Sequence, residues 1–545
     1  MGDLVLGPVV EATIDKVISA ATEQINLAVS WKAELRRLCN KLTMIRAVLQ
    51  DADRRQVGDS AVKLWLENLR DVAREAEDVL DEAVYERLKQ EVQIQKQMKK
   101  KLRLMRRLLN LDFSPDMLPM NLEATLKQHT PPLLFVVGLQ EGSRIEELGC
   151  LSQLRGELRI CHLEHVENYS EAKKAKLSEK IELYELSLKW TERNTEECNH
   201  DEDVLAGLKP PPNLRNLTIK RYGGEKCPSW MVPSLSESFS LNNLVDLKIL
   251  NCEKLKSIPI LSGLSSLQQL EITGCRELTR IGDGACAFPT SLSRLGIRSC
   301  PRLETIGDSI STLTCLEELD LFRCEDLRPI PSVNGLSSLK KLSIDGCSSV
   351  VSLPSGLSSC TALKELIMVR CPNLISIFED LKDLHSLVDL RILNCENLSI
   401  PEESFSCLVC LEYLGIGGFS KELKEFPYLN SIHHLHASLQ KLCLFGWEKL
   451  TYLPPQIQHL TSLRELTIFD FNQVEALPEW LGSFSSLQTL GILRCANLKY
   501  LPSAQAMHRL SNLQYLGIEA CPELAGIETG LEWFKISHIP RIEMS

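Results

Sequence analysis

One pattern recurs through more than half of this chain and governs everything the chain can fold into. Its clearest copy, LQTLGILRCANLKYLP from Leu487 to Pro502, reduces to L-x-x-L-x-I-x-x-C-x-x-L-x-x-L-P. Thirteen copies begin at Leu214, Leu244, Leu267, Leu292, Leu316, Leu339, Leu363, Leu387, Leu411, Leu439, Leu463, Leu487 and Leu513. Between Leu316 and Leu411 the step is 23 or 24 residues every time; it widens to 30 after the first copy, 28 after Leu411 and 26 before the last.

Within one copy, the second Leu and the Ile are two apart and face the same side of an extended chain, while their neighbours face the other. A single copy cannot bury that apolar side. Stacking copy on copy buries it in a continuous core, and the period is that of a leucine-rich-repeat solenoid with a ribbon of parallel strands. Pro259, Pro331, Pro354, Pro454, Pro478 and Pro502 close several copies. Proline lacks an N–H and holds the chain extended, which suits an irregular return path.

Composition narrows the function. With 61 Lys and Arg against 72 Asp and Glu, the net charge of -11 lacks the basic footprint of a nucleic-acid binder. Twenty cysteines suggest a disulfide scaffold until they are placed. Nine of them (Cys252, Cys275, Cys300, Cys324, Cys347, Cys371, Cys395, Cys495 and Cys521) share one slot in the repeat, which predicts a packing ladder of small side chains. The lone C-x-x-C, Cys407 with Cys410, has no second pair or histidine at ligand spacing, so no zinc cluster is expected there. His433, His434 and His436 lie in a long insertion, where a surface loop is expected and metal binding is the alternative.

The first residues, MGDLVLGPVVEATIDKVI, carry Asp3, Glu11 and Asp15 where an export signal would be basic and then apolar. Leu6 breaks the myristoylation pattern, and no run approaches the roughly 18 apolar residues of a membrane span. A cytoplasmic location with reduced thiols is expected, against which sequons at Asn168, Asn216 and Asn397 weigh little.

Residues 1–104 follow a different period. Val10, Ile14, Val17, Ile18, Ala21 and Ile25 fall on one helical face; so do Leu35, Leu38, Leu42, Ile45, Val48 and Leu49, and then Val62, Trp65, Leu66, Leu69, Val72 and Ala73. The pattern predicts a four-helix bundle, with a break into its last helix near Asp81 to Tyr85. The fold class is therefore α plus α/β: a helical bundle, then a solenoid. Glu75, Glu77, Asp78, Asp81 and Glu82 make an acidic stretch that reads first as a solvated face, since no histidine, nucleophile or pocket accompanies it. Lys96, Lys99, Lys100, Lys101, Arg103, Arg106 and Arg107 form the one basic run, a solvated helix end or, alternatively, a contact with anionic headgroups at the plasma membrane.

Residues 105–213 are repeat-like but irregular. ELRICHLEHV (Leu158, Ile160, Leu163, Val166) and LYELSLKW (Leu183, Leu186, Leu188) read as degenerate copies, EAKKAKLSEK between them as helix-prone, and ERNTEECNHDED as a polar loop. With LLFVVGL (Leu133 to Leu139) this stretch is expected to cap or begin the solenoid of residues 214–545. LEWFKISHIPRIEMS at the end is expected to cover the last copy without adding another.

The slot just after the repeat's Ile holds Lys220, Leu250, Thr273, Arg298, Phe322, Asp345, Val369, Leu393, Gly417, Phe445, Phe469, Leu493 and Glu519. Seven of these thirteen are large and apolar, which is high for an outward position. Arg298, Phe322, Phe445 and Phe469, with the flanking Arg323, Arg370 and Arg494, are residue types that dominate protein interfaces. Thirteen strands at about 4.8 Å span roughly 58 Å, room for a protein ligand. The other reading has these side chains packing laterally on one another. Trp447, Phe471 and Phe419 replace Cys in its slot and are expected in the core.

WLENLRDVAREAEDVLDEA, with Glu77, Asp78, Val79, Leu80 and Asp81 spelling EDVLD, resembles the coiled-coil domain of plant intracellular immune receptors of the nucleotide-binding leucine-rich-repeat class, whose acidic motif reads E-D-V-I-D. FVVGLQEGSRIEELGCLSQLRGELRI and the Cys-slotted copies resemble that family's repeats. The resemblance implies that Glu77, Asp78 and Asp81 pair with arginines of the repeat domain. It also implies a central nucleotide-binding switch domain of G-x-x-x-x-G-K-[ST] type, and here the sequence departs. No Gly-Lys dipeptide occurs anywhere, and repeat-like sequence begins soon after Leu104. No nucleotide cofactor is therefore expected, nor any enzymatic activity, since neither a nucleophile elbow nor a phosphate loop is present. Two functions stay open. One is an immune-receptor-like protein whose repeats bind a pathogen effector, a host guard protein or a full-length receptor. The other is a regulatory scaffold or decoy that binds intact receptors, or itself, through the bundle without signalling.

Overall fold

A computed structural model describes residues 133–140, 142–191, 200–231, 241–259, 261–282, 288–377, 381–399, 405–427, 429–524 and 533–544. The expected bundle of residues 1–104, with the Glu77 to Asp81 motif and the basic run, lies outside the described residues. The chain divides into two compact units, Met1–Val136 with Leu158–Ile160, and Val137–Glu157 with Cys161–Ser545. In the first, the described part of the N-terminal stretch is the strand Leu133–Val136.

The second unit holds the solenoid. Each of the thirteen copies supplies one five-residue strand, from Asn216–Lys220 in the first to Tyr515–Glu519 in the last. Every strand pairs in parallel with the strand of the next copy, and the register never slips. Leu319, Leu342, Leu366, Leu390, Leu414 and Leu442 are thus successive partners, all essentially inaccessible. A side chain of this kind contributes about 1.5–3 kcal/mol when fully buried. Because each copy touches mainly its two neighbours, that stabilisation accumulates along the stack.

After the strand the chain must turn sharply, and one residue makes the turn. Asn251, Ser299, Arg323, Arg370, Asn394 and Arg494 all have φ between 51° and 55° and immediately precede a slot cysteine; Gly274 and Gly346 do the same at 72° and 69°. Left-handed backbone is costly for most residues, so the turn relies on the anchoring of its neighbour in the core. That neighbour is the slot cysteine, whose Sγ lies near the carbonyl oxygen two residues back, 3.5 Å for Cys252 to Leu250 and 3.4 Å for Cys371 to Val369. All nine slot cysteines are buried free thiols, as a packing ladder requires. Phe419, Trp447 and Phe471 fill the same slot and are buried, as is Tyr222 in the first copy. The longer insertion near Phe426 is packed by Phe419 and Trp447, and Trp447 Nε1 donates to the Leu423 carbonyl at 2.7 Å.

The return path varies: short parallel strands Ser257–Ile258, Arg280–Ile281 and Thr305–Ile306 in the second to fourth copies, the helix Ala504–Arg509 before the last, and short 3-10 turns in several others. Pro454 (φ -63°, ψ 118°) and Pro478 (φ -74°, ψ 149°) are extended and lead into Pro455–His459 and Glu479–Ser483, in keeping with their place at the ends of copies.

Before the first regular copy, the strand Leu183–Lys189 pairs in parallel with Asn216–Lys220, with Leu183, Leu186 and Leu188 buried. The helix-prone EAKKAKLSEK contains the end of the helix Tyr169–Lys173 and the turn Leu177–Glu179. Two expectations are corrected. The loop after Trp190 gives way at Asp201 to a helix, Asp201–Gly207, whose first turn carries Asp201, Glu202 and Asp203, charges favoured at a helix N-terminus. The terminal stretch does more than cover the last copy. Arg541–Met544 adds a further parallel strand, placing Ile542 beside Leu516 and Met544 beside Ile518.

Candidate interaction face

On the outward side of the ribbon each strand presents its first, third and fifth residues, and the unbroken register sorts them into three columns. The fifth-residue column is the apolar slot. Here the structure supports lateral packing for part of the column: Leu393 and Phe469 are buried, while Phe322, Val369, Phe445 and Leu493 are half-buried and Arg298 is exposed.

The candidate residues gather into two clusters. In the first, Arg298, Phe322 and Asp345 are register partners on three adjacent strands. Arg298 donates from Nε and Nη2 to Asp320 Oδ2 at 2.8 and 2.6 Å, and its other arm lies 3.7 Å from Glu271. Arg370 grips Asp345 with two parallel hydrogen bonds, and Asp345 is only 5% exposed. The Arg323 and Arg370 guanidinium carbons stand 5.2 and 5.8 Å from the centre of the Phe322 ring, within cation–π range. Phe322 is thus a half-open aromatic surface held between two arginines.

In the second cluster Phe445 and Phe469 meet at 4.7 Å between ring centres, and Arg494 covers Phe469 at 5.3 Å. Phe469 is 3% exposed and offers nothing to a partner: Phe445 and Leu493, its register neighbours on either side, and Arg494 close over it. Arg494 Nε lies 3.0 Å from Asp470 Oδ1, and burial raises the Asp470 pKa while Arg494 works to lower it. The carboxylates Asp320, Asp345 and Asp470 do not stand out in the sequence. Spacing marks each as an ordinary polar position, and only the register brings them to an arginine.

A third grouping is equally hidden in the sequence. Arg391 chelates Asp389 at 2.9 and 2.6 Å and stacks 4.6 Å from the Tyr413 ring. Burial works against the Arg391 charge, but Asp389 more than restores it and the pKa is raised. The neighbouring third-column residue, Gly415, is the register partner of Arg391 and lies beside the Tyr413 ring.

His433, His434 and His436 sit on and beside the turn Asn430–Leu435, where His433 and His436 bond through Nδ1 to backbone carbonyls, a surface-loop arrangement. Cys407 and Cys410 are half-buried and exposed. Among the described residues, no helix is long and apolar enough to cross a membrane.

Comparison with known proteins agrees with this architecture. Residues 9–110 match the Rx N-terminal domain family, residues 145–275 the R13L1/DRL21 leucine-rich repeats, and residues 213–348 the leucine-rich repeats of plant disease resistance protein RPS2-like proteins. The chain is 30% identical to the putative disease resistance protein RGA1 of Solanum bulbocastanum over 54% of this chain and 26% of that protein. It is 30% identical to the putative disease resistance protein RGA4 of the same species, over 51% and 26%. For the putative disease resistance RPP13-like protein 1 of Arabidopsis thaliana the identity is 28%, over 49% of this chain and 29% of that protein. The chain thus spans between a quarter and a third of the length of these relatives. An Rx-type N-terminal segment over residues 9–110, followed by two leucine-rich-repeat family matches over residues 145–348, makes the chain similar in these parts to plant disease resistance proteins.

Proposed function

We propose that this chain acts in plant defence as an immune-receptor-like recognition protein that binds a protein partner on the strand ribbon, centred on Phe322 with Arg298, Arg323 and Arg370. The partner is a pathogen effector, a host guard protein or a full-length receptor. Residues 1–104 form a helical bundle that docks or signals, with Glu77, Asp78 and Asp81 as its acidic motif. The activity is non-enzymatic, uses no bound nucleotide and takes place in the cytoplasm. The observation that carries this reading is the half-open Phe322 ring with two arginine guanidiniums over it, beside the ion pairs of Arg298 with Asp320 and Arg370 with Asp345. Such a surface combines aromatic area with low ordering cost, the character of an interface hot spot.

Transient expression of the full chain in leaf tissue, alone and beside an intact receptor of the same class, tests this. Recognition coupled to signalling gives cell death that the double substitution Arg298→Glu with Phe322→Ala abolishes at equal protein level. Suppression of the intact receptor's response instead identifies the decoy. A response indifferent to both substitutions removes this face from the function, and stoichiometric ADP carried through purification would overturn the nucleotide-free reading.

A further inference from the structure

Away from the ribbon, HLEH places two imidazoles and a carboxylate together. His162 precedes the 3-10 turn Leu163–His165 and has left-handed backbone, φ 59°. His162 and His165, at the two ends of that turn, stack with their rings parallel within 3° and their centres 5.9 Å apart. Glu164 reaches into the same space: its Oε1 is 3.1 Å from His162 Nδ1. One ring nitrogen from each histidine and one Glu164 oxygen all lie within 4.8 Å of one another, and no other His, Cys, Asp and Glu triad among the described residues converges in this way.

The carboxylate is held from behind. Thr191 Oγ1 donates to Glu164 Oε1 at 2.6 Å and Thr191 N donates to Oε2 at 3.1 Å, across a sequence gap of 27 residues. Outer contacts of this sort orient a ligand group and are characteristic of metal sites.

We propose that His162, Glu164 and His165 form a binding site for one zinc ion, with Thr191 as the positioning residue. Two imidazoles and one carboxylate are a donor set that zinc takes in tetrahedral sites, leaving its fourth position to water or to a partner's side chain. Binding at about 2.0–2.2 Å per ligand draws the three atoms together by side-chain rotation, and His162 carries its hydrogen on Nε2 when Nδ1 coordinates.

Zinc chloride titrated into the chelator-stripped full chain by calorimetry tests the site. Because free cysteines can also bind zinc, the reading is the difference between the wild type and the double variant His162→Asn with His165→Gln, in which Asn tolerates the left-handed backbone. The wild type is expected to bind one more zinc per chain than this variant, and Thr191→Val to weaken that event about 10–100-fold. Matching thermal melts of the metal-free proteins establish that the variants fold. Cobalt substituted for zinc should lose absorption in the double variant without any change in the ultraviolet thiolate band. Equal zinc stoichiometry and affinity in wild type and double variant, or a cobalt spectrum from thiolate ligation alone, overturns the site.

Discussion

Arg370 reaches back over one full repeat to hold Asp345, its Nε on Oδ1 at 2.9 Å and its Nη2 on Oδ2 at 2.8 Å. Asp345 is 5% exposed, so its charge depends on that grip. Arg370→Ala strands a covered carboxylate and is expected to destabilise the solenoid by about 2–4 kcal/mol, less than a fully dry pair because Arg370 itself remains partly solvated. Asp345→Ala combined with Arg370→Ala should cost less than Arg370→Ala alone. Urea unfolding of the three variants reads the difference.

Thiol chemistry should follow the ladder. Burial pushes the Cys443 thiol up to about 12 and that of Cys360 up to about 11, and although hydrogen bonds from Cys395 and Cys495 lower Cys371 and Cys521, all nine slot cysteines are buried out of reach of reagent. Alkylation at neutral pH is expected at the exposed Cys150, Cys315 and Cys410, with the slot cysteines modified only in denaturant. Peptide mass spectrometry of native and denatured samples distinguishes the two sets.

Gly417 occupies the outward slot with φ +135°, and a Cβ built there would fall inside the Phe445 carbonyl group. Gly417→Ala is expected to cost about 2–4 kcal/mol, through backbone strain and a contact that only main-chain movement can relieve. By contrast Asn394, left-handed at 55°, should accept Gly at little cost and lose about 1–2 kcal/mol as Val. Thermal melts of the three variants rank them.

Acid sensitivity has a local source in Glu164. Its folded pKa of about 2 lies below the ordinary 4.5, so its stabilisation is complete above the ordinary value and is lost as pH falls through the folded one. Between about pH 4.5 and 2 the wild type should lose roughly 2–3 kcal/mol from this group. Glu164→Gln starts less stable at pH 7 and shows a shallower decline over that window, measured by denaturant unfolding at successive pH values.

The inward side of the fold was legible because its signal is repetition: one Leu and one Ile at the same two places in every copy leave a single way to bury them. The outward side was only half legible. Phe322 and Phe469 hold the same slot, yet one is half-open and the other closed, because burial there is decided by the neighbours in the next copies, Phe445 and Leu493 for Phe469 but Arg298 and Asp345 for Phe322. The left-handed turn before each cysteine is concealed because Asn, Ser, Arg and Gly all occupy it. Its signal is the position, not the residue type. The final strand is concealed for another reason: Arg541–Met544 keeps the alternation of a strand but not the leucines of a copy.

The grip of Arg370 also sets a length scale. Its guanidinium spans from its own copy past Asp345 to Phe322, two strands away, a reach of about 10 Å. The outward face is therefore a row of overlapping tiles, each three coils wide. A substitution within one tile reshapes its immediate neighbours and fades beyond them, so local patches of such a face can diversify under selection while the stack that carries them stays the same.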